Sequence, residues 1–249
     1  ERDNVTLREA CGNTVRNVTA SETAGIDKNE PLDVSPYADA VFKYFLRNPI
    51  GQEMGRKFKV SFSATDSDTG LSYMHDLGFI AKIQNGEKGF KVMLAGGLGS
   101  QPRHADQLYG FLHADKIIPL MESVIRIFDR YGERKGRAKA RLKFLLKKIG
   151  LEDFRALLDA EQLAIPHQSY PIDFKSYPNP KLAKFSNVFI KTIKDENYES
   201  WKLTNVVQQK QEGYVAIGIK VLLGDFYTDK ARELAKLVRE HAVGRYVYP

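Results

Sequence analysis

The segment Arg56-Lys57-Phe58-Lys59 places three cations within four residues. Phe58, Val60 and Phe62 alternate with Lys57, Lys59 and Ser61, which is the period of a β-strand. Both lysines therefore leave the same face, about 7 Å apart. Two ammonium groups so close repel each other unless an anion lies between them. The chemistry that suits the pair is the gripping of a small anion, and the plainer alternative is an edge strand whose lysines discourage aggregation. Arg16, within Gly12-Asn13-Thr14-Val15-Arg16-Asn17-Val18-Thr19, adds a guanidinium and, with Asn13, a set of donors suited to a carboxylate-rich ligand. A third candidate is Gly96-Gly97-Leu98-Gly99-Ser100-Gln101-Pro102-Arg103. Glycines after a strand bring backbone amides close to an anion, and Arg103 would complete such a site, although a plain turn explains the glycines equally well. The pattern is not G-x-G-x-x-G and lacks a P-loop lysine, so nucleotide binding is not indicated.

The elements that position these residues follow from periodicity. Ser35-Pro36 predicts a helix start, with Ser35 as N-cap, and Val41, Phe42, Phe45 and Leu46 recur at helical spacing until Asn48-Pro49. Strands are expected over 57–63, 77–83 and 90–95, and helices over 116–131, 137–148 and 151–163. Strands followed by a run of helices argue for an α+β fold rather than a wound parallel sheet. Pro166, Pro171, Pro178 and Pro180 predict an extended linker over 166–200. Beyond Trp201 the pattern predicts a hairpin around Glu212-Gly213, a helix from Thr228 to Ala242 and a closing strand at 245–249. Domains are thus expected at 1–165 and 201–249. The five histidines (75, 104, 113, 167 and 241) show no metal-ligand spacing and read as structural or surface residues. The basic run Arg134–Arg141 has no aromatic platform beside it and reads as a solvated face, not a nucleic-acid site.

Composition narrows the function classes. The chain has 249 residues, is 43% hydrophobic and 28% charged, and carries a formal charge of +7. That balance suits nucleic acid, an acidic protein partner or a polyanionic small molecule. No apolar run approaches the roughly 20 residues that span a bilayer, so no membrane partner is expected. The sequence starts at Glu1 without a methionine and is read as a piece of a longer polypeptide, or as one whose N-terminus was removed. Its single cysteine, Cys11, forms no internal disulfide and supplies no four-cysteine iron–sulfur site. It fits a reducing, cytoplasmic compartment and is expected to be structural.

Taken together the motifs resemble the sulfite/nitrite reductase family. The resemblance runs from Gly12–Thr19 through Arg56-Lys57-Phe58-Lys59, Asp76-Leu77-Gly78-Phe79 and Gly96-Gly97-Leu98-Gly99 to Phe128-Asp129-Arg130-Tyr131-Gly132 and Arg137–Lys143. It implies a sulfite/nitrite reductase repeat with a mixed sheet and helices, followed by a ferredoxin-like α+β half-domain. It implies six-electron reduction of sulfite or nitrite at sirohaem coupled to a [4Fe–4S] cluster, with ferredoxin or another acidic protein as electron donor. Arg16, Lys57 and Lys59 would be the substrate contacts, and Asn13, Arg56, Gly97 and Arg103 the cofactor contacts. Paired lysines resemble sulfite reductases, whereas nitrite reductases more often show asparagine at the second position. Where the family's cluster half carries C-x5-C and C-x3-C, this chain has Ser21 and Asp27, then Thr65 and Thr69. The resemblance is therefore to the cluster-free repeat, with the cluster-bearing half elsewhere in the full-length protein and this chain alone inactive. A binding or scaffold module that kept the fold and lost the redox centre is the alternative.

Overall fold

The structure is a computed structural model and describes residues 12–172, 174 and 195–242. Cys11, most of the expected linker and the expected closing strand lie outside them. The chain divides into two compact units, residues 1–25 with 29–176, and residues 26–28 with 177–249.

The first unit is built on a five-stranded mixed sheet in the order β1-β2-β3-β4-β5. Its strands are β1 (Val15–Ala20), β2 (Phe58–Ser63), β3 (Leu77–Gln84), β4 (Glu87–Leu94) and β5 (Asp106–His113). β1, β2 and β3 run parallel, and β3, β4 and β5 are antiparallel. The helices are α1 (Ser35–Phe45), α2 (Ile117–Tyr131), α3 (Leu142–Ile149) and α4 (Leu151–Ala164). α1 begins one residue earlier than a Ser35 cap would place it. Val34 occupies the cap position, and Asp33 Oδ1 accepts the Ser35 amide at 2.9 Å.

Alternation along the strands sorts side chains onto two faces. Phe58, Val60 and Phe62 of β2, Phe79 of β3 and Phe90 of β4 are fully buried in one core with Ile118, Val124, Ile125 and Phe128 of α2 and Phe154 of α4. Phe62 stacks on Phe79 with ring centroids 4.8 Å apart, and Phe90 meets both edge-on. Each such ring contributes about 1.5–3 kcal/mol by leaving water. The opposite face carries Lys59 and Ser61 of β2, with Lys57 just ahead of the strand, and a small cluster of Ile80, Met93 and Ala105 packed by Tyr73. A single helical turn, Ser72–Met74, lies against this second face. Two glycines make room for it. A Cβ on Gly78 would stand 2.4 Å from the Ser72 carbonyl oxygen, and one on Gly96 would stand 2.3 Å from that of Tyr73.

The one helix expected over 137–148 is two pieces. Residues Arg137–Lys139 form a separate turn, and Arg141 is extended (φ −81°, ψ 153°) before α3 begins. β1 and β5 were not expected. The stretch after α4 packs onto the first unit, with Tyr170 donating its amide to the Asp115 carbonyl at 2.8 Å. The second unit runs α5 (Glu196–Asn205), β6 (Val206–Gln208), β7 (Val215–Ile217) and α6 (Thr228–His241). β6 and β7 form the expected antiparallel hairpin.

Candidate functional site

An open cavity of about 410 Å³ lies on the polar face of the sheet. Six basic side chains line it: Arg56, Lys57, Lys59, Arg137, Arg141 and Lys143. β2 delivers Lys57 and Lys59 together, as alternation requires. Leu71, Met74 and His75 arrive on the turn that Gly78 and Gly96 admit, and Leu98, Gly99 and Ser100 on the loop after β4.

A buried carboxylate organises the cations. Asp76 is fully buried and accepts hydrogen bonds from Arg141, Nε at 3.2 Å and Nη2 at 2.7 Å, and from the Lys59 backbone amide at 2.9 Å. Burial pushes its carboxyl up, and the Arg141 guanidinium opposes that push. One residue thus fixes both the end of the lysine strand and the guanidinium across the cavity, 65 residues further on. Lys143 is only 4% exposed, and its ammonium donates to the carbonyls of Leu98 at 3.0 Å and Gln101 at 2.5 Å. It ties down the glycine loop, and burial followed by Arg141 lowers its pKa.

The remaining cations disfavour one another. Burial lowers the Lys57 pKa, and Arg16, Arg141, Lys59 and Arg56 lower it further. Arg56 is lowered by burial and then by Arg137, Arg141 and Arg16. Arg16 does not line the cavity, yet its charge reaches both residues, and its Nη2 donates to the Gly12 carbonyl at 3.1 Å. Such an assembly stores repulsion that a bound anion relieves.

Of the other sequence candidates, one borders this cavity and two sit elsewhere. Gly97 adjoins the cavity, since a Cβ there would stand 3.3 Å from Lys143 Cδ and 3.6 Å from Arg141 Nη2. Arg103 pairs with Asp106 at 2.6 Å and donates to the Ala95 carbonyl at 3.2 Å, fastening the ends of the glycine loop. Asn13 borders a separate cavity with Thr14, Gln52, Glu53 and Arg134. Arg141, Arg137 and His75 were missed as site residues, the arginines because a basic run reads as a solvated face. Asp76 gave a signal only as part of a family motif.

Hydroxyls occupy three of the four positions matched to cluster cysteines, and Asp27 is the fourth. Ser21 Oγ accepts the Ala64 amide at 2.9 Å and the Thr69 hydroxyl at 2.8 Å, and Thr65 Oγ1 meets Ser67 Oγ at 2.6 Å. These oxygens are engaged with one another and with backbone, and hard oxygen donors do not suit an iron–sulfur core. Among the described residues there is no group of three or more His, Cys, Asp or Glu placed to hold a metal. A carboxylate-bearing tetrapyrrole, by contrast, suits a cavity lined by cations. Among the described residues no helix is long and apolar enough to cross a membrane.

The fold is thus that of an α+β domain with a mixed sheet and a cationic cavity on its polar face. Residues 11–166 match the model of the nitrite and sulphite reductase 4Fe-4S domain, and the chain belongs to that family. It is 35% identical over 157 residues to sulfite reductase [ferredoxin] 1 of Mycolicibacterium paratuberculosis, covering 62% of this chain and 28% of that protein. It is 28% identical over 236 residues to the chloroplastic ferredoxin–nitrite reductase of Arabidopsis thaliana, covering 92% of this chain and 37% of that one. The Mycobacterium tuberculosis NirA structure superposes with a TM-score of 0.69 at 26% identity, covering 93% of this chain and 38% of that one. The chain thus spans well under half the length of these relatives.

Proposed function

We propose that this chain is the anion-holding part of a longer sirohaem-dependent reductase that converts sulfite or nitrite by six electrons. The observation that carries the reading is the cavity of about 410 Å³ lined by six basic side chains. Lys57 and Lys59 contact the oxyanion, and Arg16 adds its charge from the side. Arg56 would meet a carboxylate of the tetrapyrrole, whereas the Gly97 amide is already donated to the Arg103 carbonyl at 2.9 Å, so that glycine would serve by close approach alone. When bound, sirohaem would supply the iron and relay to the anion the six electrons that an external donor provides. The chain's own residues neutralise the oxyanion, orient it and keep protonated amines beside it. Charge that builds on the anion during reduction is stabilised by cations already in place, which costs no reorganisation. The lowered Lys57 ammonium yields a proton more readily than an ordinary lysine.

Two lysines on one strand favour sulfite over nitrite. The iron–sulfur cluster belongs to a part of the protein outside this chain, because Ser21, Thr65 and Thr69 are spent on hydrogen bonds. An acidic donor such as ferredoxin suits the net charge of +7. The same hydroxyls favour a second reading, a binding module without redox chemistry. An absorbance spectrum of purified full-length protein, followed by addition of an artificial one-electron reductant with sulfite or nitrite, separates the two. Haem absorption and consumption of the anion support the reductase, and a colourless protein that binds the anion supports the module.

A further inference from the structure

His75 is the cavity residue whose ordinary pKa, 6.5, lies nearest neutrality. Its Nδ1 lies 2.8 Å from the Leu71 carbonyl oxygen. A carbonyl only accepts, so Nδ1 carries a hydrogen, and the proton that comes and goes is the one on Nε2. No hydrogen bond to Nε2 is formed among the described residues. The ring is held in place, because the turn that carries it is pressed onto the sheet at Gly78 and Gly96.

The charges around the ring come from three elements. Lys59 faces it from β2, Asp68 from the loop ahead of the turn, and Asp76 from the neighbouring position, itself paired to Arg141 ahead of α3. Burial lowers the imidazole pKa, and Lys59 lowers it further, whereas the Leu71 carbonyl, Asp76 and Asp68 raise it without reversing the shift. The ring is therefore neutral at neutral pH when the cavity holds no anion. An anion among Lys57, Lys59 and His75 offsets the ammonium charges and favours the imidazolium.

We propose that His75 is a further ligand of the cavity, one that takes up a proton at Nε2 as an oxyanion enters and so couples anion binding to proton binding. The proposal rests on the oxyanion reading of the cavity and adds its pH dependence. The proton comes from solvent, nothing is oxidised or reduced, and the bound anion then has a donor beside it that the empty cavity lacks. A reaction that removes oxygen from an oxyanion consumes protons, so a donor loaded by binding suits it.

The test is isothermal titration calorimetry of nitrite into the oxidised full-length protein, at pH 7, in two buffers of different ionisation enthalpy. Nitrite keeps its charge over this range, so proton uptake belongs to the protein. Wild type is expected to take up roughly 0.3–0.8 of a proton per nitrite bound. His75→Gln retains a donor for the Leu71 carbonyl and is expected to take up almost none, with affinity about three- to tenfold weaker at pH 6.5. Wild-type binding without proton uptake, or uptake retained in His75→Gln, overturns the proposal while leaving the anion site standing. Lys59→Ala separates the two readings. If its nitrite affinity equals that of wild type, or wild type binds no nitrite, the anion site itself fails and His75 with it.

Discussion

Asp76→Ala removes the one carboxylate that joins β2 to Arg141. Asp76 is fully buried and the Arg141 side chain is 15% exposed, so the variant leaves a guanidinium largely desolvated and unpaired. Removing one partner of a buried ion pair costs about 3–5 kcal/mol, and the residual exposure of Arg141 puts this case near 3. The Lys59 amide also loses its acceptor at 2.9 Å, which adds about 1–2 kcal/mol. The expected total is about 4–5 kcal/mol, a large share of the roughly 5–15 kcal/mol that holds a domain together. At a urea dependence near 2 kcal/mol per molar, the midpoint falls by about 2 M. Asp76→Asn keeps the volume and one carbonyl acceptor and loses about half as much. The assay is urea unfolding followed by far-ultraviolet circular dichroism, because the single tryptophan, Trp201, lies in the second unit and reports on the wrong region. Asp76→Ala combined with Arg141→Met removes both charges and recovers at least 1 kcal/mol relative to Asp76→Ala. A loss below about 1 kcal/mol for Asp76→Ala, or a double variant no better than the single one, would refute the organising role of Asp76.

Gly78→Ala drives a Cβ into the Ser72 carbonyl and is expected to cost about 3 kcal/mol or more in the same assay, whereas Gly97→Ala asks only a small shift of Lys143 and Arg141 and costs about 1 kcal/mol. His75 has a folded pKa below its ordinary value of 6.5, so its contribution to stability is complete above pH 6.5 and lost as pH falls through the folded value. Thermal unfolding without an anion should therefore show wild type losing stability below pH 6.5, and His75→Gln should flatten that loss; an unchanged profile contradicts the assignment. Because burial and the neighbouring cations lower the Lys57 pKa, a limiting acylating reagent at pH 8 should label it preferentially, as read by mass spectrometry. Arg16→Met and added nitrite should each slow that labelling, and indifference to both would show that the cations do not act on Lys57.

Legibility followed the range of the interactions. β2 was readable because Phe58, Val60 and Phe62 alternate with Lys57, Lys59 and Ser61, a pattern complete within seven residues. β1 was hidden because Val15-Arg16-Asn17-Val18-Thr19 is polar on both faces; it becomes a strand by pairing parallel to β2. β5 was hidden for a related reason. Its residues are mostly part-exposed, and its pairing with β4 shifts register twice. The two lysines were found by local alternation, but Arg141 could not be found that way. What takes it off the solvated face is Asp76, 65 residues earlier, together with an extended backbone at Arg141 that breaks the expected helix. His75 reads from sequence as a structural or surface histidine because its place in the cavity depends on two close approaches, at Gly78 and at Gly96, that sequence spacing does not reveal. Arg103, singled out beside the glycines, has its charge paired with Asp106 instead.

If the cavity cations hold an oxyanion for reduction, Lys59→Ala in the full-length protein must lose turnover. Lys59 leaves the sheet on the face away from the aromatic core, so the fold and any haem spectrum should survive its truncation. Turnover of sulfite should fall by about 30- to 1000-fold, the cost of one charge-assisted contact to the reacting anion, and Lys59→Asn should shift preference from sulfite toward nitrite. Unchanged steady-state turnover of both anions in Lys59→Ala, with the haem spectrum intact, would mean that Lys59 does not hold the anion and would return the strand to a plain, charge-protected surface.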